Sequence, residues 1–148
     1  MAAELVKVSL VQRADYQFEN DFGDGTPSLL TDEPAPLGHG LGPSPMQLLA
    51  AAIGNCLSDS LLFALRKFKQ QPEPIRCDVE ARTGRNEAGR LRVQAITAKL
   101  TLGVPAARLE HLDRVLGQFE EFCTVTQSVG QGLAITVSVF DADGKQLK

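Results

Sequence analysis

One apolar segment constrains this chain more than any other feature. From Pro45 to Gln71 the sequence reads PMQLLAAAIGNCLSDSLLFALRKFKQQ, preceded by Pro43 and followed by Pro72 and Pro74. Ser44 suits an N-cap, Pro45 the first helical position, and Gln47 completes a capping box. Leu48, Ala52, Cys56, Ser60 and Ala64 recur every four residues, with Leu49, Ile53, Leu57 and Leu61 beside them. So broad an apolar sector predicts a helix nearly engulfed by its surroundings. The basic RKFKQQ before the prolines suits a C-terminus. A helix of about 25 residues would run close to 37 Å, the spine of the fold. The apolar run 46–57 reads as too short for a bilayer span, and Asp59 follows it at once.

Shorter elements flank this helix. ELVKVSLVQ, residues 4–12, alternates as a strand; Arg13-Ala14-Asp15 is a turn and YQFEND a returning strand. DFGDGTPS closes that unit, leaving a short apolar piece at Leu29 and Leu30. Pro and Gly then dominate TDEPAPLGHGLGPSP, a long segment of the kind that is often functional or crosses to a partner. Beyond the helix, IRCDVEART and GRLRVQAITAKLTLG are strands joined by GRNEAG. Pro105 opens a second helix with Leu109, Leu112, Leu116, Phe119 and Cys123 on one face. TVTQSVGQG adds a further turn or two of helix, and LAITVSVFDADG ends as strand and turn. The order predicts an α+β fold with mainly antiparallel sheets.

The chain has 148 residues, consistent with one domain over 1–148, divided into 1–44 (N-terminal strands and Pro/Gly segment) and 45–148. Net charge is −3, and Glu80 and Glu87 dilute the arginines at 82, 85, 90 and 92. A solvated hairpin, rather than a nucleic-acid surface, is the reading. The N-terminus alternates like a strand and lacks a basic n-region before an apolar h-region, so a soluble cytoplasmic protein with no membrane partner is expected. Three widely spaced cysteines do not form a secreted framework. His39 and His111 have no ligand spacing to them, so no metal is expected. Neither a Ser/His/Asp triad nor a phosphate-binding glycine motif is present.

Cys77, on the strand face of Ile75 and Val79, reads as a buried inert thiol. Cys56 lies among Asn55, Ser58 and Asp59, polar residues that a packing segment rarely needs in a row. Cys123 stands where the second helix yields to TVTQS. A thiol at a helix N-terminus meets unsatisfied N–H groups that favour thiolate, and Thr124 and Thr126 are candidate donors. Composition and periodicity leave open whether Cys56 and Cys123 meet.

GPSPMQLLAAAIGNCL resembles the helix start of the OsmC/Ohr family, the osmotically inducible and organic hydroperoxide resistance proteins. There a Pro opens a long helix and a reactive Cys follows about three turns in, the places of Pro45 and Cys56. Cys123-Thr124-Val125-Thr126 is similar to the family's Cys-Pro-Val-Ser step. The resemblance implies sheets around a long central helix in an intertwined homodimer. It implies a thiol peroxidase without a cofactor, acting on organic hydroperoxides and less well on hydrogen peroxide. Cys56 would be the peroxidatic thiol and Cys123 the resolving one, with a lipoyl-type or thioredoxin-like dithiol as reductant. Arg13 matches the family's thiolate-stabilising Arg. Met46 occupies the place of the Glu that holds that Arg and is assigned here to the substrate pocket. Met cannot anchor a guanidinium, which leaves Arg13 mobile, held by another group such as Asp15 or Asp32, or not catalytic. A non-enzymatic binder of apolar ligands and a redox sensor are the other readings on the same dimeric fold.

Overall fold

The computed structural model describes residues 3–148. They fall into two compact units, one ending at Leu48 and the other spanning Leu49–Lys148.

The first unit is an antiparallel sheet of β1 (Ser9–Ala14), β2 (Gln17–Asp21) and β3 (Leu29–Thr31), in that order. β1 starts later than its alternation predicts. Its ladder ends at Ser9 opposite Asp21, where β2 itself turns away, so Leu5 and Val6 have no strand to pair with. The turn also falls later, with Arg13 and Ala14 in the strand and Asp15 in the left-handed region (φ 45°). Between Gln12 and Ala14 the register slips, making Arg13 the extra residue of a β-bulge.

The Pro/Gly segment is organised around one carboxylate. Asp32 is buried and accepts N–H bonds from Glu33, His39 and Leu41 at 2.8, 3.2 and 3.1 Å. Burial raises this carboxyl, but donation from Leu41, Glu33, His39 and Gln17 outweighs it and holds the group below its usual range. Gly42 is obligatory here, because a Cβ would lie 2.0 Å from the Leu30 carbonyl oxygen.

Helix α1 (Pro45–Lys67) begins as the sequence specifies. Gln47 N–H donates to Ser44 Oγ at 3.3 Å, and Ser44 N–H to Gln47 Oε1 at 2.9 Å, a reciprocal capping box. It ends slightly early because Lys69 turns left-handed (φ 58°) and Gln70 N–H returns to the Leu65 carbonyl at 3.1 Å.

In the second unit β4 (Arg76–Arg85), β5 (Leu91–Thr101) and β6 (Ala134–Phe140) form a mixed sheet. β4 and β5 are antiparallel, whereas β5 and β6 run parallel from Ala95↔Ala134 to Thr101↔Phe140. A parallel pair needs a long crossover, and the helical stretch between Leu102 and Leu133 provides it. α1 packs here through Ile53, Leu57, Leu61 and Leu65, all fully buried with Ile96, Leu100 and Val139 of the sheet. The fold is therefore α+β, mainly antiparallel, with a long helix against a sheet.

Two expectations need correction. α1 is not engulfed: Ala51, Ala52, Asn55, Asp59, Phe63 and Lys67 are exposed, and protein covers one face only. By length and composition alone, with mean hydropathy 1.7 over its most apolar stretch, α1 is long and apolar enough to cross a bilayer, but its inner face is packed in a protein core. The second long helix, meanwhile, is broken. A 3-10 turn at Ala106–Arg108 precedes extended Leu109 and left-handed His111 (φ 60°), and α2 spans only Leu112–Gln118. A 3-10 turn (Phe119–Phe122) and α3 (Thr124–Val129) follow.

The break has partners on both sides. Asp141 accepts Ala106 N–H at 2.9 Å, and Gln70 Oε1 accepts Glu110 N–H at 2.9 Å. The His111 ring lies 4.8 Å from that of Phe68. The residues read as one helical face still reach the core, Leu116, Phe119 and Cys123 being buried.

Candidate active site: a thiol pair

Cys56 lies on α1 between buried Ile53 and Leu57 on one side and exposed Asn55 and Asp59 on the other, and is itself half-buried. Cys123 caps α3 with extended backbone (φ −82°, ψ 94°) and is fully buried. The fold brings them together: the Cys123 thiol and the Val125 N–H are near enough to the Cys56 sulfur to act on its titration.

These surroundings push the Cys56 thiol up from its ordinary value. Burial contributes most, the Cys123 thiol adds to it, and the Asp59 carboxylate one turn on adds electrostatic opposition. Donation from Val125 N–H opposes them without prevailing. Thus the free N–H at the start of α3 serves Cys56, not Cys123 as the sequence suggested. Thr126 donates to the Cys123 carbonyl at 3.3 Å, and the Thr124 carbonyl accepts the Ser128 hydroxyl, so these bonds leave the sulfur alone.

The polar neighbours of Cys56 serve other ends. Asn55 Nδ2 donates to the Ala51 carbonyl at 2.9 Å and Ser58 Oγ to the Gly54 carbonyl at 2.7 Å. Ser58 also bonds the Cys77 thiol, which sits half-buried where β4 meets Gly54. Burial raises the Cys77 thiol and Asp78 adds to it, while the Ser58 hydroxyl lowers it, with a net rise. Cys77 packs against the core, half-buried rather than buried as expected.

Of Asn55, Ser58 and Asp59, the last is the one that bears on the Cys56 sulfur, and it disfavours thiolate. Alkylation of Cys56 by iodoacetamide, followed by peptide mass spectrometry, is therefore expected to keep accelerating above the ordinary thiol range. Asp59→Asn is expected to lower that midpoint and speed alkylation at neutral pH, by less than about tenfold because the carboxylate is exposed and screened. An unchanged pH profile would show that Asp59 does not act on the sulfur.

Arg13 belongs to the first unit, where Glu19 on β2 holds it. Its Nε donates to Glu19 Oε2 at 2.5 Å, and its Nη2 pairs with the same oxygen. The Arg13 bond, aided by the Ser28 hydroxyl, holds the Glu19 carboxyl below its usual range. Neither Asp15 nor Asp32 is the anchor: Asp15 faces His39 at 3.7 Å and Asp32 organises its loop. Glu19 was missed because an acid two residues along the partner strand becomes a neighbour only once the hairpin register and bulge are known. Met46 stands exposed in the first turn of α1, 37% accessible, without a polar role. Among the described residues no group of three or more His, Cys, Asp or Glu is placed to hold a metal ion.

A single long helix and a mixed sheet, with the two cysteines brought together, match the OsmC type of fold. The profile of the OsmC-like protein family matches residues 38–138, and the chain belongs to that family. An OsmC-like protein of unknown function from Vibrio cholerae has the same fold, with TM-score 0.77 and 16% identity over 93% of this chain and 100% of that one. An organic hydroperoxide resistance protein OsmC from Legionella pneumophila gives TM-score 0.72 and 16% identity, covering 94% of this chain and 98% of its own. The organic hydroperoxide resistance protein OhrB of Bacillus subtilis gives 0.69 and 16%, covering 93% and 99%. No curated protein matches the sequence.

Proposed function

We propose that this chain is a thiol-dependent peroxidase acting on organic hydroperoxides. The observation that carries the reading is the approach of the Cys56 and Cys123 sulfurs. Membership in the OsmC-like family supports it, as do structural relatives named for organic hydroperoxide resistance.

In the proposed cycle the Cys56 thiolate attacks one peroxide oxygen. The O–O bond breaks, the alcohol leaves with a proton, and Cys56 becomes a sulfenic acid. The Cys123 thiol then condenses with it, forming the disulfide and releasing water. A dithiol, lipoyl-type or thioredoxin-like, reduces the disulfide by exchange and leaves as its own disulfide. No metal or organic cofactor enters. Because its surroundings hold the Cys56 thiol protonated, the first step needs a cation beside the sulfur, and Arg13 is the residue proposed to supply it in an intertwined homodimer. We place the cycle in the cytoplasm, where both sulfurs are kept reduced between turnovers.

The same protonated thiol favours, as a second reading, a slow redox sensor. One experiment separates them. Reduced protein receives one equivalent of cumene hydroperoxide, and its disulfides are mapped by mass spectrometry before and after excess dihydrolipoamide. A Cys56–Cys123 bond formed within seconds and removed by the dithiol is the expected result. A bond that the dithiol cannot recycle indicates the sensor, and persistence of both free thiols beside unconsumed peroxide rejects the peroxidase.

A further inference from the structure

The end of α1 and the outer side of α2 enclose a cavity of about 200 Å³ that the thiol cycle does not use. Ala64, Phe68 and Val115 give it apolar walls, Phe122 flanks it, and Lys67 and Arg114 both line it, with Gln118 the one neutral polar side chain. Arg66, next to Lys67 in the chain, is paired with Glu73, and Lys148 with Glu120. Among the described residues Lys67 and Arg114 have none. Aromatic rings hold them instead. Lys67 Nζ lies 5.8 Å from the Phe63 ring centre and 5.7 Å from that of Phe122, and the Arg114 guanidinium 5.4 Å from Phe68.

Two like charges facing one cavity repel, and an anion placed between them relieves that repulsion. The apolar walls decide which anion. A compact polyanion such as phosphate would engage Lys67 and Arg114 but leave the apolar walls of Ala64, Phe68 and Val115 against charged oxygen. A single carboxylate on an apolar chain matches both halves of the site. The volume also falls below the roughly 300 Å³ at which drug-sized pockets begin, which excludes nucleotides and other large ligands.

We propose that this cavity binds a small amphipathic monocarboxylate, its acid group between Lys67 and Arg114 and its chain against Phe68 and Phe122. The inference goes beyond the peroxidase reading and does not depend on it. Phe122 immediately precedes Cys123, so an occupant rests against the turn that carries the buried thiol.

Octanoate is the probe, titrated calorimetrically into the full chain, with 1-octanol and inorganic phosphate as controls. Octanoate is expected to bind once per chain and at least tenfold more tightly than either control. Lys67→Gln combined with Arg114→Gln should weaken it tenfold or more, with melting temperature and Cys56–Cys123 disulfide formation unchanged. Should the double variant fail to fold, Arg114→Gln alone should weaken octanoate but not 1-octanol. Equal binding of octanoate and 1-octanol, undiminished binding in the variants, or no octanoate binding at millimolar concentration would each overturn the proposal. So would a change of oligomeric state in the variants without loss of octanoate affinity, which would give the cavity to a second copy of the chain.

Discussion

Replacing Cys56 by Ser is expected to abolish hydroperoxide consumption, on the order of a thousandfold or more, whereas Cys123→Ser consumes one equivalent and stops. The asymmetry follows from exposure. Cys56 is half-buried on a helix face that opens to solvent, and Cys123 is fully buried beneath it. A peroxide can meet the first sulfur, and the second meets only the first. A hydroxyl at 56 lacks the nucleophilicity of a thiolate and cannot cleave the O–O bond at a comparable rate. Without Cys123 the sulfenic acid has no neighbour to condense with and persists, open to further oxidation by excess peroxide. Trapping with a sulfenic-acid reagent and counting consumed peroxide distinguishes the two variants. A Cys123→Ser protein inert in the first step, beside an active Cys56→Ser protein, would reverse the assignment.

The second large effect is on stability. Cys56 and Cys123 are 67 residues apart in sequence, and the folded chain sets their thiols near each other. Closing a loop of that length removes unfolded-state entropy worth about 4 kcal/mol, and the preset approach of the sulfurs limits the opposing strain. The oxidised protein is therefore expected to melt roughly 10 °C above the reduced one, as read by calorimetry on each form. By linkage, the folded chain drives the disulfide as strongly as the disulfide supports the fold. An oxidised protein melting at or below the reduced one would mean that bond formation distorts α1 or the turn before α3.

How legible these features were in the sequence depended on how local their causes are. Ser44, Pro45 and Gln47 define the start of α1 within four residues, and their hydrogen bonds are the ones that spacing specifies. The stripe from Leu109 to Cys123 correctly marked core residues. It could not reveal the break at Leu109–His111, because the groups that satisfy that break, Asp141 and Gln70, come from distant parts of the chain. The parallel pairing of β5 with β6 was hidden similarly, although a helical stretch of sufficient length stood in the sequence. Within the site, both cysteines were identifiable and their meeting was not. Asn55, Ser58 and Asp59 looked like one polar group attending Cys56. Two of them return to their own helix backbone, and the third opposes the thiolate.

Gly54 extends the consequences of that packing. A Cβ there would sit 2.8 Å from Val79 Cγ2, so α1 lies close against β4 at a point where an added side chain would require a shift. Two residues further on is Cys56. The missing methyl group thus works as a spacer set to zero: a side chain at this position would have to displace Val79 or lift the helix, and the second course would carry Cys56 with it. Alignment of the thiol pair can then be tuned, or lost, by a change that touches neither cysteine.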